Sequence, residues 1–381
     1  MNYYTEQEFF RYETLHKNKY FYCGHYPQNY LIILKLFKKN ILVKKHTMSE
    51  SKHSKILENP HSDNLKQIPK TFEEAVLMVE EFAFAEVKKE VENKQLYFHN
   101  YAHAEAVKRR AEIIFNAIEP FWDKFCNEST LVDSKRARYL INICAASHDM
   151  VQVFLPLTSS QTARQRESGV SETATINKLL DYIKQLNQGF IAENPELPPL
   201  FTPIDLQIIQ KSISATICFF DAKDNLIYQA DLYNLEQQIT LSARIIALAD
   251  IGGLGIDGIP AYFQEGSLIL LEENPDIIPL LKEFLTKQEN ISDKKELYEN
   301  LRQRLLKRAK FQISFAKGRC ARLHRELEGL PVEVIEVLKE KVFKYLNEET
   351  IKTIETLIPT ADDTSLEKLI EFFELDKYIH N

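Results

Sequence analysis

The chain has 381 residues, of which 44% are apolar and 27% charged, and its formal net charge is −7. This length is enough for one large or two small domains with a buried core. With only 10 glycines and 14 prolines, an all-β protein rich in tight turns is excluded. No apolar run of about 18 residues and no secretory signal pattern is present, so we expect no membrane span. The five scattered cysteines form no C-x-x-C pair, which argues against disulfide frameworks and zinc ribbons and favours a cytoplasmic protein.

Residues 1–47 form a basic, aromatic N-terminal extension. They hold eight Lys or Arg residues against three acidic residues, a net charge of +5. Within them, residues 29–43 have the pattern of a basic amphipathic helix that would bind a membrane surface or a partner. The alternative is an upstream extension with little role, because the composition changes at Met48. The sequence leaves open whether Met48 is the physiological start.

Helical periodicity prevails from residue 71 onwards. Residues 48–70 are polar, contain Pro60 and Pro69, and are predicted to be a linker. Thr71 is the predicted N-cap of the first helix. Further helices are predicted for residues 99–118, 133–148, 170–187, 203–217, 231–250, 277–290, 293–327, 331–346 and 364–379. No strand alternation is evident. We therefore predict an all-α protein, with one helical domain over residues 71–346 and a C-terminal helical appendage over residues 347–381.

Several histidines and aspartates occupy unusual positions in this helical pattern. His99 and His103 are four residues apart on a predicted helix, so both would project from one face. The alternative is an exposed polar stripe. His148-Asp149 and Asp250 each follow a strongly apolar helical run. Because an ionised carboxylate is costly to bury without a partner, either a metal ion or an arginine is expected there.

Three predicted helices thus deliver His103, His148, Asp149 and Asp250. Two imidazoles with two carboxylates suit Mn²⁺, Fe²⁺, Co²⁺, Zn²⁺ or Mg²⁺ better than a thiolate-loving metal. Four protein ligands would leave positions open for water on a six-coordinate ion.

Residues 98–107, F-H-N-Y-A-H-A-E-A-V, resemble the HNxxHAxxV signature of class I cyclic-nucleotide phosphodiesterases. Together with His148-Asp149 and Asp250, they resemble the H…HD…D order of the wider HD-domain superfamily of metal-dependent phosphohydrolases. The resemblance covers roughly residues 95–325. It implies an all-α, HD-domain or phosphodiesterase-like helical bundle.

The resemblance also implies roles for individual residues. His103, His148, Asp149 and Asp250 would hold one or two divalent ions, with Asp149 able to bridge a second ion. His99 would be the general acid that protonates the leaving oxygen.

Further substrate and metal contacts rest on weaker parts of the resemblance. Asn100, in the same motif, is a candidate substrate contact. Gln312 and Phe315 resemble a Q-x-x-F pair that grips a nucleobase, although Phe315 could equally be a core aromatic residue. Glu172 is the candidate second-metal glutamate, with Glu167 as the other possibility. For Glu172 the alternative is a first-turn glutamate that favours its helix dipole.

One departure from the family pattern concerns the second metal ion. The phosphodiesterases usually have a second histidine in HDxxH, and Gln152 stands at that position here. Since that histidine supports the second ion from the outer shell, the sequence leaves the number of ions open.

A basic stretch suggests where substrate phosphates would bind. Residues 300–325 contain nine Lys or Arg residues and no acidic residue. Arg308 and Arg319 are the candidate phosphate contacts. The alternative is a solvated face paired with acidic helices. No recognised nucleic-acid-binding module is present, so we do not expect nucleic acid as a partner.

The sequence therefore predicts a metal-dependent phosphohydrolase that cleaves a phosphoester, with a nucleotide as the expected class of substrate. The alternative is a non-catalytic HD-fold module that senses a nucleotide or binds a partner. The identity of the metal and the oligomeric state are left open.

Overall fold

The structure is a computed structural model that describes residues 68–125, 132–157, 162–222, 226–234, 239–286 and 294–378. Two units are separated in it, Met1–Asn64 and Leu65–Asn381, and the description below concerns the second unit. The predicted N-terminal extension, with its amphipathic helix, and nearly all of the predicted linker lie outside the described residues.

The described part of the chain is mainly α-helical, as the sequence predicts, with one small β-hairpin. The helices are α1 Phe72–Lys94, α2 Tyr101–Ile118, α3 Ser134–Ser147, α4 Val170–Glu193, α5 Pro203–Ser214, α6 Leu241–Asp250, α7 Ile259–Glu273, α8 Ile277–Thr286, α9 Lys295–Glu326, α10 Val332–Val337, α11 Glu348–Leu357 and α12 Leu366–Phe372. The hairpin strands are β1 Cys218–Asp221 and β2 Leu226–Gln229, which pair antiparallel. Among the described residues, no helix is both long and apolar enough to cross a membrane.

Side-chain caps fix where several helices begin. The Thr71 hydroxyl accepts a hydrogen bond from the backbone N–H of Glu74, as predicted for the N-cap of α1. Asp133 caps α3 in the same way. Thr202 and Asp205 form a reciprocal capping box at the start of α5.

The first hydrophobic core lies among α1 to α6 and α10, and it positions the acidic residues. Helix α3 packs against α1, α2, α5 and α6. Most of its C-terminal half is buried, and Ile143, Cys144 and Ala145 have no exposed surface. In α6, Leu248 and Ala249 are equally buried. The polar residues at the C-terminal ends of these two helices therefore lie at the edge of the core.

A second core joins the later helices. Leu271, Leu281 and Leu305, from α7, α8 and α9, are fully buried in it. Ile354 from α11 and Leu369 from α12 belong to the same cluster. The segment predicted as an appendage thus packs against α9 and the helices around it.

Four local expectations differ from the structure. The hairpin was not predicted, and residues 234 and 239–240 within the predicted helix 231–250 are not helical. Helices α7 and α11 were also not predicted. His99 lies just before α2 rather than on it, because Asn100 is the N-cap and accepts a hydrogen bond from the backbone N–H of His103.

Candidate metal centre

Three helices bring the predicted metal ligands together. His103 lies in the first turn of α2, and His148 and Asp149 follow the last residue of α3. Asp250 is the last residue of α6. One ligand atom from each residue lies within 4.8 Å of the others. Within the described ranges, this is the one group of three or more histidine, cysteine or acidic side chains that close together.

The ligand atoms surround a common point. The Nε2 atom of His148 lies 2.9 Å from Asp149 Oδ2 and 3.5 Å from Asp250 Oδ1. The Nε2 atom of His103 lies 3.3 Å from Asp149 Oδ2, 3.6 Å from Asp250 Oδ1 and 3.3 Å from His148 Nε2. Each imidazole thus presents Nε2, and each carboxylate presents one oxygen.

A backbone contact sets the tautomer of His148. Its Nδ1 atom lies 3.0 Å from the carbonyl oxygen of Ala145. Because a carbonyl oxygen only accepts, Nδ1 must carry the proton and donate it. The other nitrogen, Nε2, faces the carboxylates and is the one left to bind a metal ion once its own proton is released, as in a metal-ligating histidine.

The electrostatics of the cluster favour a positive charge next to its two carboxylates. Burial would lower the pKa of His148, but Asp149 and Asp250 outweigh it and hold that pKa well above its usual value. Burial would raise the pKa of Asp250, but hydrogen bonds from His103 and His148 lower it to about 2. The same balance lowers the pKa of Asp149 well below its usual value. Both carboxylates are therefore ionised in a nearly closed site.

These residues fit a divalent cation. Two imidazole nitrogens and two carboxylate oxygens converge, the side chains of His103 and His148 are only 3% and 1% exposed, and the tautomer of His148 is correct. The donor set is typical of Mn²⁺, Fe²⁺, Co²⁺ or Zn²⁺, with Mg²⁺ favoured less because it prefers oxygen ligands. A cation here would replace protons as the partner of both carboxylates.

Two glutamines hold the outer oxygens of the aspartates. Gln152 Nε2 donates to Asp149 Oδ1 at 3.0 Å, and Gln229 Nε2 donates to Asp250 Oδ2 at 2.9 Å. Both glutamines are fully buried. Each carboxylate therefore has one oxygen facing the cluster and the other fixed by an amide, which orients it as outer-shell partners of metal ligands do.

His99 lies beside the cluster and is held by Glu272. The His99 Nδ1 atom forms a hydrogen-bonded pair with Glu272 Oε1. The other oxygen of Glu272 accepts from the backbone N–H groups of Tyr97, Phe98 and His99, at 2.9–3.1 Å. Although burial opposes it, His99 and these hydrogen bonds lower the pKa of Glu272 to about 2. His99 Nε2 points to Asp149 Oδ2, 3.7 Å away.

An arginine from the loop before α4 completes the surroundings of His99. Arg166 Nη1 lies 3.0 Å from His99 Nε2 and donates to Gln152 Oε1 at 2.6 Å. Arg166 itself is an exposed residue, so its guanidinium reaches inward from the rim. Since arginine only donates, His99 Nε2 is the acceptor in this arrangement.

The structure separates the two candidate second-metal glutamates. Burial raises the pKa of Glu172, and the charges of Asp149 and Asp250 raise it further, so Glu172 shares their electrostatic environment. Glu172 nevertheless lies outside the group of four converging ligands. Glu167 is an exposed residue.

Asn100 and Phe315 have structural partners, whereas the amide of Gln312 has none among the described residues. Both ends of the Asn100 side chain hold the turn before α2, since Nδ2 donates to Tyr97 O and Oδ1 accepts from His103 N. Gln312 is buried, and neither atom of its amide has a hydrogen-bond partner among the described residues. Phe315 stacks on Tyr262 with ring centroids 6.2 Å apart.

The two candidate phosphate-binding arginines differ in their surroundings. Arg319 forms a buried ion pair with Glu326 on its own helix. Arg308 lies 3.9 Å from Glu273 and lines a cavity of about 370 Å³ together with Lys307 and Phe311. The structure thus places Arg308 at a cavity and Arg319 in a buried ion pair.

Sequence reasoning missed Glu272, Gln229 and Arg166. Glu272 lies on α7 and Gln229 on β2, and the hydrophobic periodicity of the sequence predicts neither element. Arg166 lies in a loop without a motif. The apolar spacing of Ile259, Tyr262 and Leu270 was the signal available for α7.

Comparisons of the chain with protein-family models, curated proteins and solved structures found no match. The interpretation of the site therefore depends on its own geometry.

Proposed function

We propose that this protein is a metal-dependent phosphohydrolase of the HD type that cleaves a phosphoester. The observation that carries the proposal is the position of His99, whose Nε2 lies 3.7 Å from the ligand oxygen of Asp149. A general acid is thereby placed next to a site built for a divalent cation. The order of the ligands along the chain supports the same family.

The residues of the chain divide the chemistry between them. A divalent cation, when bound, neutralises charge on the phosphoryl oxygens and lowers the pKa of a water. His99 donates a proton to the leaving oxygen, and Glu272 orients its imidazole. Arg166 turns from His99 to the phosphoryl group, where its guanidinium matches two oxygens.

A nucleotide is the proposed class of substrate. Gln312 supports it, because a buried amide without a partner is costly unless a ligand supplies the hydrogen bonds. Phe315, three residues along α9, adds an aromatic surface next to Tyr262. Arg308, which lines a cavity, lies on the same helix.

The activity test compares His99→Ala with the wild-type chain on a panel of phosphoesters in the presence of Mn²⁺. The panel contains p-nitrophenyl phosphate, bis-p-nitrophenyl phosphate, nucleoside monophosphates and cyclic nucleotides. We expect His99→Ala to lower kcat by about 10²–10⁴-fold while the metal content is unchanged. The matched control is His324→Ala, which removes an exposed histidine on α9. Turnover that survives in His99→Ala would contradict the role of His99, and no turnover of any ester by the metal-loaded wild type would contradict the function.

A second candidate is a module that binds a nucleotide without cleaving it. The contact between Arg166 and His99 Nε2 favours it, because it occupies the atom that would deliver the proton. Tight nucleotide binding without turnover, unchanged in His99→Ala, would support this candidate over the enzyme.

A further inference from the structure

We propose that the centre holds a single divalent cation per chain, and that the guanidinium of Arg166, anchored on Gln152, takes the place of a second one. This inference rests on the proposed metal site and concerns how that site is completed. It follows from three features around Asp149, which are the hydrogen bond to its outer oxygen, the position of Arg166 and the balance of charge.

The outer oxygen of Asp149 is already engaged. A carboxylate that bridges two ions offers one oxygen to each, but Asp149 Oδ1 accepts from Gln152 Nε2 at 3.0 Å. Gln152 cannot turn to release it, because an arginine can only donate and a carboxylate can only accept. Its oxygen must face Arg166 and its nitrogen must face Asp149. The backbone of Gln152 is fixed as well, by Lys94 at 2.6 Å and Glu90 at 3.0 Å.

The guanidinium of Arg166 lies beside His99 and Gln152, the two residues that flank Asp149. It contacts Gln152 Oε1 at 2.6 Å and His99 Nε2 at 3.0 Å, and His99 is in turn 3.7 Å from Asp149. A positive charge thus already lies among the side chains next to Asp149.

The charge balance also favours one ion. Asp149 and Asp250 supply the two carboxylates of the converging group, and one divalent ion matches their charge. The guanidinium of Arg166 adds a further positive charge beside His99 and Gln152. A second divalent ion would meet this guanidinium at short range, which is costly in a buried site.

The test counts Mn²⁺ ions bound to the full-length chain. The protein is stripped of metal, dialysed against Mn²⁺, and examined by elemental mass spectrometry and electron paramagnetic resonance. We expect the wild type to hold about one ion per chain with the signal of an isolated Mn²⁺. Arg166→Met combined with Gln152→His is expected to bind about two, with an exchange-coupled signal. Arg166→Lys, which keeps the charge, should remain at one.

Each outcome bears on the inference. Two ions in the wild type would overturn it while leaving the proposed function intact, and no ion in the wild type would overturn both. A double variant that folds but still holds one ion would show that Arg166 does not exclude the second. If the histidine introduced at position 152 prevents folding, Arg166→Met alone leaves the core intact, removes the guanidinium from His99 and Gln152, and should bind a second Mn²⁺ at least about tenfold more tightly than the wild type.

Discussion

Glu272 shows how a single side chain sets up the candidate acid. One oxygen caps three successive backbone N–H groups, and the other holds His99 Nδ1. The Glu272 side chain is only 2% exposed, so water screens its interaction with the imidazole of His99 very little. The position of His99 relative to Asp149 therefore depends on a residue that is 173 positions away in sequence.

Replacing this carboxylate tests its role as a positioning group. We expect Glu272→Gln to lower kcat by about 10- to 100-fold with little change in KM, because the amide can still hold the turn but no longer offers His99 Nδ1 the carboxylate oxygen that orients its ring. Steady-state kinetics with Mn²⁺ measures both constants. Glu92→Gln, at an exposed position on α1, is the matched control. A change in KM alone would show that Glu272 acts only through the structure of the site.

The sequence predicts which four residues come together in the candidate metal centre, but it does not predict their partners. His148-Asp149 and Asp250 each follow an apolar helical run, so a local pattern marks them. No such pattern precedes Gln229, Arg166 or Glu272. They lie on a hairpin, in a loop and on a helix, and these elements meet the four cluster residues only through tertiary packing. Pairwise spacing in one chain does not reveal such contacts.

At the scale of elements, the start of α2 controls the position of two histidines. Asn100 connects Tyr97 to His103 by two hydrogen bonds across the turn that contains His99. The spacing of His99 and His103 predicts two residues on one helical face, and the cap places His99 outside the helix instead. The two rings nevertheless lie 5.8 Å apart, so the expected proximity is preserved by the turn.

Removing this cap should weaken both the helix and the site. We expect Asn100→Ala to lower the free energy of unfolding by about 1 kcal/mol, because the N-cap hydrogen bond is lost. Urea denaturation followed by circular dichroism measures the change. Asn116→Ala, at an exposed position within α2, is the control and should have a smaller effect. Equal effects in both variants would contradict the importance of the cap.

The β-hairpin brings Gln229 to Asp250 by packing closely on α9. Gly318 on α9 leaves no room for a side chain, since a Cβ there would come within 2.7 Å of Leu226 Cδ1. The two strands have four residues each, which is too short for alternation to be recognised in the sequence. This explains why the hairpin was not predicted although it contributes to the site.

A substitution at this contact should act on the metal site from a distance. We expect Gly318→Ala to displace the hairpin, to destabilise the fold by about 1–2 kcal/mol and to reduce metal affinity by about tenfold through Gln229. Competition with a chelating dye measures the affinity. The control is Gly189→Ala on α4, where a Cβ would make an ordinary contact with Ile68 at 3.6 Å. Unchanged metal affinity in Gly318→Ala would contradict the role given to Gln229.

At the scale of the whole molecule, the metal site joins three helices of the first core. The side chains of Asp149 and Asp250 are 17% and 15% exposed, and they lie within 3.6 Å of His103. Binding a cation that the unfolded chain cannot hold in this way must stabilise the native state.

Metal removal should therefore lower thermal stability. At a free Mn²⁺ concentration about 100 times the Kd, binding adds about 2.7 kcal/mol to the free energy of unfolding. We expect Tm to rise on addition of Mn²⁺ and to fall back with a chelator. Asp250→Asn should lose most of this response, whereas Asp181→Asn, at an exposed position on α4, should keep it. A Mn²⁺ response in Asp250→Asn equal to that of the wild type would place the binding elsewhere.

Metal content tests the central claim most directly. The full-length chain, purified without a chelator or a histidine tag, is measured by elemental mass spectrometry beside His103→Ala and Asp149→Ala. We expect about one first-row metal ion per chain in the wild type and a loss of that ion in both variants. A wild type that takes up no metal even after soaking in Mn²⁺, or variants that keep the ion, would contradict the assignment of these residues as its ligands.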